Sequence, residues 1–395
     1  MFELDLAPAD PILGLTEAFK SDTHPDKINL GVGVYQDNTG KTPILESVKL
    51  AEKQLLIMEG TKSYLPIPGL ADLADQAQEL LFGVGHKIIL EGRAKTAQTP
   101  GGTGALRVAA DFLKRVKSNA TIWLSDPSWS NHVTIFEAAG FDVQHYRYYD
   151  KESQALDSSG FIQDLDRMKT GDVLVLHACC HNPSGIDLTE TEWAAVAEAA
   201  KHKGLVCLVD FAYQGFGEGL EEDRTGFHVL LNAGLSILIA ASFSKNFGLY
   251  NERIGTLTVI ESNAQEARNT FSHIEAAIRA IYSSPPAHGG KIVASVLGDK
   301  TLRALWIKEL DTMRERIKAM RLAFVNGMTD RQAAVDFNFI NHQKGMFSFS
   351  GLNQEQVLKL RKDNHIYIVG SGRINVAGIT PKNIDPLCDA IAKVL

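Results

Sequence analysis

Four apolar runs punctuate the middle of this chain: TIWLSD (121–126), DVLVLHACC (172–180), LVCLVDF (205–211) and LSILIAASF (235–243). Each has strand length and nearly unbroken hydrophobicity. Between them lie segments of helical period such as ETEWAAVAEAAKHKG (190–204), which stops at Gly204. A strand that is apolar along its whole length must be covered on both faces. Such strands alternating with helices specify an α/β fold, a mainly parallel sheet with helices on both sides. In sheets of this kind ligands gather beyond the carboxyl ends of the strands. The polar residues that follow each run therefore become the candidates for chemistry.

With 395 residues the chain exceeds one small core and suits two domains. From Thr301 to Asn326, Leu302, Leu305, Leu310, Met313, Ile317, Met320 and Phe324 recur at helical spacing and predict a long amphipathic helix. We expect it to lead from a large domain into a smaller one. The expected partition is an N-terminal arm at 1–10, a small α/β domain from 11–45 and 310–395, and a large cofactor-binding domain at 46–309. The small domain would hold the strand-like GMFSFSG (345–351) and HIYIVGSGRINVAG (365–378). The arm would pack on a partner.

The formal net charge of −7 argues against nucleic acid or an anionic membrane surface as partner. No stretch approaches the roughly 20 apolar residues of a membrane span. The acidic start, MFELDLAPAD, lacks the pattern of a secretory signal. The four cysteines, Cys179, Cys180, Cys207 and Cys388, show neither a CxxC pair nor a disulfide framework. These features predict a cytoplasmic protein without a structural metal.

PGGTGALR (100–107) is the first chemical motif. Gly101, Gly102 and Gly104 permit close backbone approach, and the periodic segment behind them offers a helix N-terminus to a phosphate. There is no GxGxxG, and GKT at 40–42 lacks the upstream glycine of a P-loop. Lys245 follows the last apolar run within SFSKNFGLYNER, flanked by Ser242 and Ser244, with Arg253 eight residues on. Burial and a neighbouring cation would lower its pKa and free an amine to attack an aldehyde. Ser242 and Arg253 could hold a phosphate. Asp210, at the end of LVCLVD, could keep a pyridine nitrogen protonated so that the ring accepts electrons. Tyr213 and Asn182, the latter in HNPSG, are donors for a phenolic oxygen. Trp129, in DPSWSNH, offers a flat face to a ring. Arg279 and Arg373 carry the planar fork that suits carboxylates. Together these residues describe a Schiff-base enzyme with a phosphorylated aldehyde cofactor.

These motifs resemble the fold-type I pyridoxal-phosphate enzymes, and among them the class I aspartate aminotransferases, a branch that includes aromatic aminotransferases. The likeness runs along the whole chain, from INLGVGVYQDNTGKTPIL (28–45) through KSYLPIPG, TPGGTGALR, DPSWSNH, CCHNPSG, VDFAYQGFG, SFSKNFGLYNERIG and YSSPPAHGG to FSFSGL and SGRINVAGI. The resemblance implies that Lys245 links to pyridoxal 5'-phosphate and later moves the substrate proton. Asp210, supported by His132, would pair with the ring nitrogen. Asn182 and Tyr213 would donate to the ring oxygen, and Trp129 would stack on the ring. Gly102, Thr103, Ser242 and Arg253 would bind the phosphate together with Tyr64 of the partner subunit. Arg373 would grip the substrate α-carboxylate, Gly33 would lie near the substrate, and Arg279 of the partner subunit would meet a side-chain carboxylate. Amino acids and 2-oxo acids would exchange by a ping-pong mechanism in a homodimer with shared sites.

The resemblance also implies that substrate choice turns on Val34, Gln36, Thr42, Ser63, Thr103 and Ser284. Val34, Thr42 and Thr103 are of the aspartate type and Ser284 of the aromatic type, while Gln36 and Ser63 match neither. The expectation is L-aspartate with 2-oxoglutarate, with broad aromatic transamination as the alternative. A nicotinamide oxidoreductase and a catalytically silent binding protein are the rival classes. The first lacks its glycine fingerprint here, and the second would have lost the lysine or the aspartate.

Overall fold

The computed structural model describes Phe2, Leu4 and residues 13–395. The expected arm, residues 1–10, otherwise lies outside the described residues. By internal contacts the chain divides into two units. The larger spans 43–182 and 186–314, and the smaller combines 1–42, 183–185 and 315–395.

The larger unit is built on a seven-stranded sheet. Its strands are β1 (Ala94–Pro100), β2 (Ile122–Asp126), β3 (Val143–Arg147), β4 (Val173–His177), β5 (Val206–Phe211), β6 (Ile237–Ser242) and β7 (Ile254–Ile260). The order across the sheet is β1-β7-β6-β5-β4-β2-β3. From β6 to β3 every neighbouring pair is parallel, whereas β7 runs antiparallel to both β1 and β6. All four apolar runs are thus strands of one sheet. The core under it includes Leu124, Val173, Leu208, Ala240 and Leu257, each at most 3% exposed. This is the mainly parallel α/β sheet expected from those runs.

β1, β3 and β7 lie outside those four runs. AKTAQTP is polar, yet most of it is buried. The register pairs Thr96 with Thr258, and their hydroxyls hydrogen-bond at 2.9 Å. That contact meets the cost of burying them.

Helix α1 (Gly101–Val116) follows β1 without a loop, so the glycines form its first turn rather than a turn ahead of it. Helix α2 (Glu190–Lys203) starts on a capping box between Thr189 and Glu192 and stops at left-handed Gly204. Helix α3 (Lys300–Asp330) begins where Asp299 Oδ1 accepts from Thr301 N and Leu302 N. Its buried stripe takes in Trp306, fully buried, rather than Leu305. Trp306 stacks on Phe247 at 4.5 Å and donates to Asn246 O at 2.8 Å. The helix thereby braces the turn directly after Lys245.

In the smaller unit Phe347–Phe349 pairs antiparallel with Arg373–Asn375, and Ile28–Asn29 pairs parallel with Ile366–Tyr367. The strand-like C-terminal segments are therefore strands, but much shorter than their apolar patterns. No helix among the described residues is long and apolar enough to cross a membrane.

Candidate active site

Three parallel strands end beside one another and deliver the central groups. β5 ends with Asp210 one residue short of its tip, β4 places His177 in register with Asp210, and β6 ends at Ser242, just before the Lys245 turn. β5 is buried from Cys207 to its end, and Asp210 within it is 8% exposed. His132 Nε2 lies 2.9 Å from Asp210 Oδ2, and Ser128 Oγ holds the other ring nitrogen at 2.9 Å. Burial pushes the Asp210 carboxyl up. The His132 hydrogen bond and the charge of Lys245 outweigh it, and the net shift is downward. Asp210 is therefore a permanent anion at neutral pH.

Lys245 is half-buried. Its pKa falls to about 8, chiefly through burial, with Arg253 lowering it further and Asp210 opposing. Its Nζ sits 4.6 Å from the centre of the Tyr213 ring. Asn182 Nδ2 lies 3.5 Å from Tyr213 Oη, so the two expected oxygen-binding donors stand side by side. Trp129 meets His132 edge-on at 5.2 Å and keeps part of its surface open.

A donor cradle adjoins this cluster. Helix α1 has no side-chain cap at its N-terminus, so its first-turn N–H groups are available to an anion. Arg253 is exposed and lies across Gly101: a Cβ there would come within 2.5 Å of its Nη2. A Cβ on Gly102 would meet Ser242 Cβ at 3.2 Å. Glycine at both positions keeps the cradle open. The set is all donors and suits a phosphate dianion, while the Asp210 carboxylate suits a protonated ring nitrogen. The residues present therefore fit a phosphorylated pyridine aldehyde.

His132, His177 and Asp210 also bring ligand atoms within 4.8 Å of one another, as do Cys179, Cys180 and Asp223. His132 already spends both ring nitrogens on Ser128 and Asp210. Burial pushes the Cys179 thiol well above its usual range, which disfavours a thiolate ligand.

Sequence reasoning anticipated His132 behind Asp210 but missed two further histidines, His177 and His181. His177 stacks on His132 at 5.2 Å, and burial lowers its pKa to about 3, so it is a neutral wall. His181 stacks on Tyr148 at 4.0 Å and meets Ser125 Oγ at 2.9 Å. Its position next to Asn182 was the only signal in the sequence.

The other expected residues make contacts of their own. Tyr64 is 96% exposed, and Arg279 is exposed with its guanidinium on Ser283 Oγ. In the smaller unit Arg373 is 4% exposed, lies 4.2 Å from the centre of the Phe347 ring and donates to Gly31 O at 2.7 Å. Gly33 faces the same ring: a Cβ there would reach Phe347 Cζ at 2.8 Å.

Comparison with known proteins agrees with this chemistry. The family described as aminotransferase class I and II matches residues 25–391. An aspartate aminotransferase of Escherichia coli is 53% identical over the full length of both chains. An aromatic-amino-acid aminotransferase of the same organism is 41% identical, again over the full length of both. Among solved structures, an aromatic-amino-acid aminotransferase from Burkholderia pseudomallei, covalently bound to pyridoxal phosphate, superposes with a TM-score of 0.97 at 46% identity. It covers 100% of this chain and 98% of its own.

Proposed function

The chain belongs to the class I and II aminotransferases, and from that premise we propose that it exchanges the amino group between L-aspartate and 2-oxoglutarate, with Lys245 as the group that moves the substrate proton. Pyridoxal phosphate, when bound, supplies an aldehyde carbon that links to amines and a ring that accepts the electron pair of a deprotonated carbon. The remaining work falls to this chain's residues. Gly102, Thr103, Ser242 and Arg253, with Tyr64 of the partner subunit, hold the phosphate. Asp210, kept ionised by His132, holds the ring nitrogen, Asn182 and Tyr213 hold the ring oxygen, and Trp129 covers the ring face.

Lys245 Nζ has a pKa of about 8, so a useful fraction of the amine is neutral near pH 7.5. It can take a proton from the substrate carbon and return it elsewhere. Arg373 fixes the α-carboxylate, and Arg279 of the partner subunit fixes the side-chain carboxylate. The observation that carries the reading is the half-buried, low-pKa Lys245 beside an ionised Asp210.

The reading requires a homodimer. Leu56, Ile57 and Met58 are 79–86% exposed in a row, shortly before Tyr64 in the chain, an apolar stretch that a second copy would cover. Four buried free thiols suit a reducing cytoplasm. Ser284 and the aromatic-type structural relatives favour a second reading, a broad aromatic aminotransferase. A substrate panel decides between them: a higher kcat/KM for tyrosine or phenylalanine than for aspartate would overturn the aspartate assignment.

A further inference from the structure

Asn182 sits at the end of a segment that should not hold its shape unaided. The ladder of β4 extends one residue past His177, where Ala178 N donates to Asp210 O at 2.9 Å. The chain then bends, and Cys180 takes a positive φ of 52°, which few residues other than glycine adopt. The Asp187 side chain braces the bend. Asp187 Oδ2 accepts from Cys180 N and Oδ1 from His181 N, both at 2.9 Å. A single carboxylate thus grips two consecutive peptide N–H groups immediately before Asn182, and charge-assisted bonds of this kind are stronger than neutral ones.

The brace is itself anchored. Tyr148 Oη donates to the carbonyl of Ile186, the neighbour of Asp187, at 2.7 Å. The ring of Tyr148 lies against His181 at 4.0 Å, and Ser125 Oγ meets His181 Nε2 at 2.9 Å. The circuit runs from Tyr148 through Ile186, Asp187 and His181 back to Tyr148. Beyond it the Asn182 amide stands 3.5 Å from Tyr213 Oη.

We propose that Asp187 is a positioning residue for transamination: its carboxylate, by fixing the Cys180 and His181 peptides, sets where the Asn182 amide stands. The proposal rests on the reading that Asn182 donates to the cofactor's ring oxygen. Asp187 touches neither cofactor nor substrate in that reading and acts through Asn182. Withdrawing the Asn182 donor makes the ring oxygen hold its shared proton more tightly. The pH at which the visible band of the bound cofactor changes must then rise.

The test compares Asp187→Ala, Asp187→Asn, Asn182→Ala and the double variant Asp187→Ala/Asn182→Ala, each loaded with pyridoxal phosphate. The expected rise is about half to one pH unit for Asp187→Ala, the scale of one hydrogen bond. Asp187→Asn keeps one acceptor oxygen and should move about half as far, so the test survives if the alanine variant fails to fold. On the Asn182→Ala background the Asp187 change should add nothing. In cofactor-free protein, peptide hydrogen exchange at 178–182 should quicken roughly tenfold in Asp187→Ala. An unshifted band, additive shifts in the double variant or unchanged exchange would each overturn the role of Asp187. A wild-type protein with no visible band on loading would instead overturn the functional reading beneath it.

Discussion

His132 Nε2 stands 2.9 Å from Asp210 Oδ2, with neither residue more than 8% exposed. Ser128 holds the other ring nitrogen from behind, so the imidazole is fixed at both of its nitrogens. This contact keeps a buried carboxylate ionised where burial alone would raise its pKa. Asp210→Asn preserves size and removes the charge. We expect kcat for aspartate to fall by roughly a hundred- to a thousandfold, the usual scale for losing a preorganised electrostatic partner. His132→Asn should cost about tenfold, since it removes the support and leaves the charge. A smaller effect at 210 than at 132 would contradict this order.

Lys245 makes a prediction about stability. Its pKa is about 8 in the folded protein against an ordinary 10.5. Between those values the unfolded chain binds more protons than the folded one, so this group's contribution to stability rises with pH across pH 8 to 10.5. Below pH 8 the full penalty of a buried ammonium applies, up to about 3 kcal/mol. Cofactor-free Lys245→Met should therefore be more stable than the unaltered cofactor-free protein at pH 7, and the gap should shrink towards pH 10.5. Urea midpoints at several pH values measure it. A variant less stable at pH 7 would show that the amine is not strained by burial.

Gly101 has a φ of +72°, and a Cβ there would intrude on Arg253. Gly101→Ala should displace the guanidinium and weaken pyridoxal phosphate binding roughly tenfold or more, the worth of one charged hydrogen bond. Left-handed backbone adds about 1 kcal/mol of instability. Equilibrium titration of cofactor-free protein gives the affinity, and wild-type affinity in the variant would remove Arg253 from the phosphate site.

Arg279 tests the dicarboxylate assignment. Arg279→Ala should lower kcat/KM for aspartate by about 3 kcal/mol, roughly a hundredfold, as expected when one partner of a charge pair is truncated. The value for phenylalanine should change by no more than about threefold, because no side-chain carboxylate is lost. Equal losses on both substrates would place Arg279 in general structure rather than in specificity.

Much of this was legible in the chain because burial leaves a simple mark. LVCLVDF and LSILIAASF are apolar through and through, and a polar residue at the end of each had to point at a site. β1 left no such mark: Thr96 and Gln98 are buried with their polar groups bonded to Thr258 and Pro286, contacts that belong to tertiary structure. Trp306 was overlooked beside Leu305 because the helical period does not say which of two adjacent residues faces Phe247. Asp187 was invisible for a related reason. Its role lies in two backbone N–H groups, and backbone partners carry no residue type.

The proposed function stands or falls on Lys245 being the amine that joins the cofactor. Loading the protein with pyridoxal phosphate, reducing it with borohydride and mapping the peptides tests this directly. We expect loss of the visible band and one reduced pyridoxyl label on Lys245, absent from Lys245→Ala. Label on another lysine, or no label in the unaltered protein, would contradict it.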